Sequence, residues 1–153
     1  MTYLSPAKIN LFLHITSKRD DGYHNLQTIF QLLDFYDEID FSLRDDGKIN
    51  RISGNEDILI SNDLMIKSAK KLKQYRQTNC GVDIKILKKI PKGGGLGGGS
   101  SNAATTLIAL NKLWNLKLTN AELISIGKDI GADVPVFIEG RSSWAEGIGE
   151  ILT

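Results

Sequence analysis

Cysteine, proline and histidine are scarce in this chain of 153 residues, with one, three and two copies respectively. The single cysteine, Cys80, excludes an internal disulfide framework and fits a reducing compartment. With no histidine near it in sequence, Cys80 reads as a half-buried thiol, not a nucleophile. No apolar run approaches the roughly 20 residues that a membrane span needs. Residues 1–8 lack a basic stretch followed by an apolar one, so no signal peptide is expected. The chain therefore reads as cytoplasmic. A net charge of +1 gives no field that would draw in nucleic acid or an anionic membrane, so neither is an expected partner. Oligomeric state leaves no mark in the sequence.

Apolar and charged residues are present in ordinary globular proportion, enough for a real core in a length suited to one domain or two small ones. Residues 7–16 alternate as a strand, with Ile9, Leu11, Leu13 and Ile15 on one side and Lys8, Asn10, Phe12 and His14 on the other. A second strand is predicted over 26–33 and a third over 38–44, the latter with Ile39, Phe41 and Leu43 inward. Asp45-Asp46-Gly47 predicts a hairpin into 48–53. Residues 63–76 have helical spacing, with Leu64, Ala69, Leu72 and Tyr75 on one face and Ser61 or Asn62 as cap. Residues 82–87 form a further strand, and 101–114 a helix burying Leu107, Leu110 and Trp114. Thr119 and Glu122 make a capping box, with Leu118 and Leu123 as its staple and Gly131 as the stop. Strands are predicted at 134–139 and 142–145. Strands first, then strands and helices interleaved, make an α+β fold.

Glycine is the abundant exception, filling six of the seven positions 93–99. Such a run is either a flexible hinge or a backbone left bare for close approach to a ligand. A strand leads into it and an apolar-faced helix leaves it, which favours a cradle over a linker. Successive N–H groups in a glycine turn converge on anions, and a helix start adds unpaired donors. Ser100 and Ser101 could add hydroxyls to a phosphate or to a phosphate-bound metal. The loop is no Walker A motif, because Gly99 is followed by two serines and no lysine. A dinucleotide Gly-x-Gly-x-x-Gly can be threaded through so many glycines almost automatically, so that match carries little weight.

Residues 91–104 (PKGGGLGGGSSNAA) resemble the second motif of the GHMP kinases, and residues 6–13 (PAKINLFL) resemble the first. Residues 21–30 (DGYHNLQTIF), 131–137 (GADVPVF) and 145–152 (AEGIGEIL) resemble one branch, which acts on a cytidine diphosphate-linked methylerythritol. The resemblance implies the family's N-terminal domain, with the fold of the second domain of ribosomal protein S5: a mixed sheet with helices on one face. It also implies that 1–153 is the ATP-binding and catalytic domain, that a C-terminal domain is absent from this chain, and that the fragment alone is weak or inactive. The implied activity is ATP-dependent phosphorylation of a small-molecule hydroxyl, with Mg2+ accompanying ATP and metal ligands unassigned. Another GHMP small-molecule kinase, or a catalytically dead nucleotide-binding module, stays open as an alternative.

The resemblance makes Lys8 and Asp133 catalytic and Asn10 a substrate contact. Tyr23, His24 and Phe30 match positions that hold the cytidine part. For ATP it implies Pro91, Gly93, Gly94, Gly95, Leu96, Gly97, Gly98, Gly99, Ser100 and Ser101, with Lys88, Asp63 and Leu64 near the adenine. The branch usually reads Asp-Asn-Leu where this chain has Asn62-Asp63-Leu64. Without the resemblance, Lys8 is a solvated strand residue, Asp133 a turn residue, and the aromatics are core. His14 has no functional counterpart and reads as structural.

Overall fold

The computed structural model describes residues 1–20 and 22–153. Its six strands are β1 (Thr2–Lys18), β2 (His24–Arg44), β3 (Ile49–Ser53), β4 (Gly81–Leu87), β5 (Ser143–Glu146) and β6 (Ile151–Leu152). The helices are α1 (Leu64–Arg76), α2 (Gly98–Leu113), α3 (Asn120–Lys128) and α4 (Val134–Glu139), with a 3-10 turn at Ile60–Asn62. One mixed sheet runs β3-β4-β2-β5-β6, and β1 pairs with β2. This is the expected α+β class. The long strand β2 organises the sheet: β1 lies along one edge, while β4 and β5 share the other at 38–44 and 28–30.

Alternation sets the two faces of the sheet. Ile39, Phe41, Val82, Ile84 and Ile86 are buried and join Leu72, Leu107 and Leu110 of the helices in one core. Trp114, at the end of the predicted α2 stripe, is buried there too. The capping box forms as expected, Thr119 and Glu122 bonding reciprocally, and Leu118 and Leu123 are both buried. Ile130 and Gly131 return their N–H groups to the Gly127 carbonyl, which closes α3. Cys80 is half-buried, as its reading anticipated.

Several expectations are corrected. Residues 26–33 and 38–44 are parts of a single strand. The turn at 45–47 does not close a hairpin, because β4 lies between β2 and β3 and pairs parallel with β3. Leu43 is exposed, near the C-terminal end of β2. Three bulges interrupt β1, one between Asn10 and Leu13, so its alternation breaks; Leu11, Leu13 and Ile15 lie exposed. The cap of α1 is Asp63 and not Ser61 or Asn62, its carboxylate accepting from Met65 N–H at 2.9 Å. Met65 and Ile66 join Ala69 and Leu72 in the core, while Tyr75 is exposed. Residues 134–139 are helix, not strand. Pro135 suits a first helical turn, and a short run buried on every side carries no usable period.

A polar cluster crosses the core beneath α2. Asp37, fully buried in β2, accepts from Lys88 Nζ, from the N–H groups of Lys89 (2.7 Å) and Ile90 (2.9 Å), and from Asn102 Nδ2 (2.9 Å). Asn102 also donates to Ser5 Oγ at 2.9 Å, and Ser5 Oγ meets Ser101 Oγ at 2.8 Å. The carboxylate thereby joins β2 to the segment after β4 and to the first turns of α2, and Asn102 extends the cluster to β1. Burial pushes the Asp37 carboxyl up, but the bond from Lys88, with those from Ile90, Asn102 and Lys89, outweighs it and holds the group below its ordinary value.

Two predictions test this packing. A Cβ at Gly127 would stand 2.8 Å from Val134 Cγ1 and 2.9 Å from Ile138 Cδ1. Gly127→Ala gains roughly 1 kcal/mol of helix propensity, yet overpacking makes it a net loss of about 1–2 kcal/mol, read as a lower urea midpoint. Asp37→Asn removes one partner of a buried ion pair and costs on the order of 3 kcal/mol at neutral pH. The folded-state value of Asp37 lies below the unfolded one, so its stabilisation is complete above the ordinary 3.8 and fades as pH falls through the folded value. Urea unfolding across the acid range should show the gap between wild type and variant narrowing towards low pH.

Candidate active site

The glycine loop is held from two sides. Lys8 N–H in β1 donates to Leu96 O at 2.9 Å, and the Lys88–Asp37 cluster anchors the chain that enters the loop. Gly97 caps α2 at φ 69°, and a Cβ there would stand 2.8 Å from Phe137 Cζ and 3.1 Å from two Lys8 carbons. Both the left-handed backbone and the close approach exclude a side chain at this position. Helix α2 begins three residues earlier than expected, so Gly98 and Gly99 belong to its first turn. Its first intrahelical bond is Ser101 N–H to Gly97 O, which leaves the N–H groups of Gly98, Gly99 and Ser100 without a helical acceptor. The loop borders a cavity of about 350 Å3, lined by residues 91–100 with Ile58, Leu64 and Lys88.

Lys8 and Asp133 meet although they lie at opposite ends of the chain. Lys8 Nζ stands 3.2 Å from Asp133 Oδ2, with side-chain exposures of 7% and 30%. Lys8 is thus a buried cation and not a solvated strand residue. It donates to Asn10 Oδ1 at 2.7 Å and lies 5.1 Å from the centre of the Phe30 ring. Asn10 Nδ2 in turn donates to Thr28 Oγ1 at 2.9 Å, and Thr28 donates to Phe12 O. Asp133 precedes α4 but makes no capping bond with it, so its carboxylate keeps lone pairs free. The β5–β6 turn comes close as well: a Cβ at Gly149 would lie 3.5 Å from the Phe30 ring and 3.7 Å from Asp133 Oδ1. A carboxylate and an ammonium side by side next to the glycine loop can accept a proton and stabilise negative charge at one point.

Other predicted site residues are placed differently. Ser101 is fully buried and bonded to Ser5, so its hydroxyl faces the core and Ser100 alone of the pair lines the loop cavity. Lys88 reaches the cavity wall, but its ammonium is paired with Asp37 and donates to Asn102 Oδ1 at 3.0 Å. Asp63 has both oxygens occupied, by Met65 N–H and by Arg51 Nη1 at 2.7 Å. Leu64 lines the loop cavity. Tyr23 and His24 sit at the exposed tip of the β1–β2 hairpin, apart from Phe30, which is buried beside Lys8. Asp21 of the DGYH motif lies outside the described residues. His14 is exposed and edge-on to Phe12. Asp37, Thr28 and Asn102 support the site, and sequence reasoning assigned no role to any of them, because each acts through partners distant along the chain.

Comparison with known proteins agrees with this geometry. Residues 63–141 match the family model "GHMP kinases N terminal domain". The chain is 63% identical over 152 residues to a 4-diphosphocytidyl-2-C-methyl-D-erythritol kinase of Ruthia magnifica, covering 99% of this chain and 53% of that protein. It is 55% identical over 150 residues to the enzyme of the same name from Acinetobacter baylyi, covering 97% of this chain and 54% of that one. A crystal structure of 4-(cytidine 5'-diphospho)-2C-methyl-D-erythritol kinase superposes with a TM-score of 0.87 at 35% identity, over 100% of this chain and 54% of that one. A mevalonate kinase structure shares the fold at 21% identity, with a TM-score of 0.63 over 97% of this chain and 49% of that one. The chain spans about half the length of the curated relatives it matches. With its glycine loop, its lysine–aspartate pair and its sheet in the arrangement described, the chain belongs to the GHMP kinases, as their N-terminal domain.

Proposed function

We propose that this domain belongs to an enzyme that transfers the γ-phosphoryl group of ATP to the 2-hydroxyl of 4-diphosphocytidyl-2-C-methyl-D-erythritol, a step of the non-mevalonate isoprenoid pathway. The observation that carries this reading is the Lys8–Asp133 pair at 3.2 Å, on a strand hydrogen-bonded to the glycine loop. The names of relatives at 55–63% identity support the choice of substrate. Residues 1–153 act as the ATP-binding and catalytic domain, and the complete enzyme adds a C-terminal domain that closes over both substrates. The fragment alone is then weak or inactive.

Phosphoryl transfer depends mainly on positioning and on stabilising charge spread over the transferred group. The unpaired N–H groups opening α2 hold the phosphates, and Lys8 neutralises charge where the acceptor oxygen attacks. As the new P–O bond forms and the bond to the β,γ-bridging oxygen breaks, the hydroxyl proton passes to Asp133 and ADP leaves. Asn10 and Thr28 orient the Lys8 ammonium. Among the described residues no group of three or more carboxylates, imidazoles or thiolates forms an ion cage. Mg2+ accompanying ATP would offset phosphate charge, and Ser100, the hydroxyl on the cavity wall, would be placed to help hold it. Tyr23 and His24 hold the cytosine. Six residues of strand separate His24 from Phe30, up to about 20 Å at the usual rise. An elongated acceptor can span that distance, whereas mevalonate or homoserine cannot reach both ends.

Lys8→Ala and Asp133→Asn in the complete enzyme should each lower turnover by about 100-fold or more, with ATP affinity changed only a few-fold. Measured ADP release decides this, and normal turnover in either variant removes that residue from the mechanism. His24→Ala should raise KM for the cytidylated acceptor far more than KM for ATP. Turnover of mevalonate or homoserine in preference to the diphosphocytidyl compound would overturn the substrate assignment.

A further inference from the structure

Among the described residues that line the cavity against the glycine loop are two lysines, Lys88 and Lys92. Their ammonium groups are committed very differently. Lys88, with a side chain only 17% exposed, pairs with the fully buried Asp37 and donates to Asn102 Oδ1 at 3.0 Å. Drawing that ammonium away would strand a buried carboxylate, which is strongly unfavourable. Lys8 is likewise held, by Asp133 and Asn10. Lys92 instead pairs with Asp57 on the surface, the two side chains being 41% and 65% exposed. Exposed pairs of this kind contribute little to stability, so either partner is readily exchanged.

Asp57 precedes Ile58, which lines the same cavity, and Lys92 opens directly into the glycine run. The pair therefore links two walls of the cavity, the 55–58 segment and the start of the loop. The bond from Lys92 holds the Asp57 carboxyl below its ordinary value, so the group is anionic at neutral pH. A polyphosphate is a more highly charged anion. The donors that the loop itself offers to one are neutral: the N–H groups of Gly98, Gly99 and Ser100, and the Ser100 hydroxyl. An ammonium on a flexible four-carbon stem can pass from one anion to another with no change in the backbone.

We propose that Lys92 binds the polyphosphate of the nucleotide by exchanging Asp57 for it, so that Asp57 and the nucleotide compete for one ammonium. This rests on the nucleotide reading above, and gives a role to the residue that the motif assignments pass over between Pro91 and Gly93. Lys8 serves the acceptor and Lys88 the scaffold, while Lys92 supplies the loop with positive charge.

The test is binding to the complete enzyme at physiological ionic strength, where the general field of an exposed carboxylate is screened. ATP is followed by calorimetry, and adenosine, which lacks the phosphates, by competition. Lys92→Met keeps a long stem without the charge. It should weaken ATP roughly tenfold, the range of one charge-assisted hydrogen bond, and leave adenosine unchanged. Asp57→Asn removes the competing anion and should tighten ATP about two- to fivefold, a gain that should vanish in the Lys92→Met background. Unaltered ATP affinity in Lys92→Met, an equal loss of adenosine affinity, or an undiminished gain from Asp57→Asn without Lys92 would each overturn the role of Lys92 and leave nucleotide binding intact. Failure of wild type to bind ATP would overturn the nucleotide reading together with it.

Discussion

A single buried carboxylate, that of Asp37, ties the sheet to the helix that carries the glycine loop. Around it converge a lysine, two backbone N–H groups and an asparagine amide, so the desolvation of the charge is offset by donors from two separate segments, 88–90 and α2. Hydrophobic packing would hold α2 against β2 in many slightly shifted positions. Directional bonds to one carboxylate select among them, and the loop entering α2 inherits that selection.

From this anchor the site follows in order. The segment 88–90 is pinned, the loop leaves it, and Leu96 bonds back to β1 at Lys8. Gly97 lies so close against Lys8 and Phe137 that strand, loop and α4 share one contact point. Asp133, immediately before α4, then falls beside the lysine. The parts that would hold phosphate and those that would move a proton are consequently in direct contact within this domain.

Local signals were legible where one segment carries its own pattern. The strand–glycine–helix order, the Thr119 capping box and the buried stripe of Leu107, Leu110 and Trp114 are of this kind. Residues 134–139 misled because a short apolar run buried on all sides has no period to distinguish strand from helix. The position of β3 was hidden because the strand that separates it from β2 is contributed later in the chain. Lys8 and Asp133 could be named through family motifs, while composition and spacing alone favoured bland readings for both. Asp37, and the contrast between committed Lys88 and exposed Lys92, depend on partners in three dimensions. No linear pattern could have displayed them.

Strand β2 has a further consequence. It runs unbroken from His24, at the hairpin tip, through Phe30 to Asp37 at the anchor. Adding or removing one residue between those points would turn every side chain beyond it to the opposite face. Substitutions there can be absorbed one at a time, but a change of length must be taken up at one of the bulges. Between His24 and Asp37 this strand works as a ruler, with the bulges of its ladder to β1 as the joints.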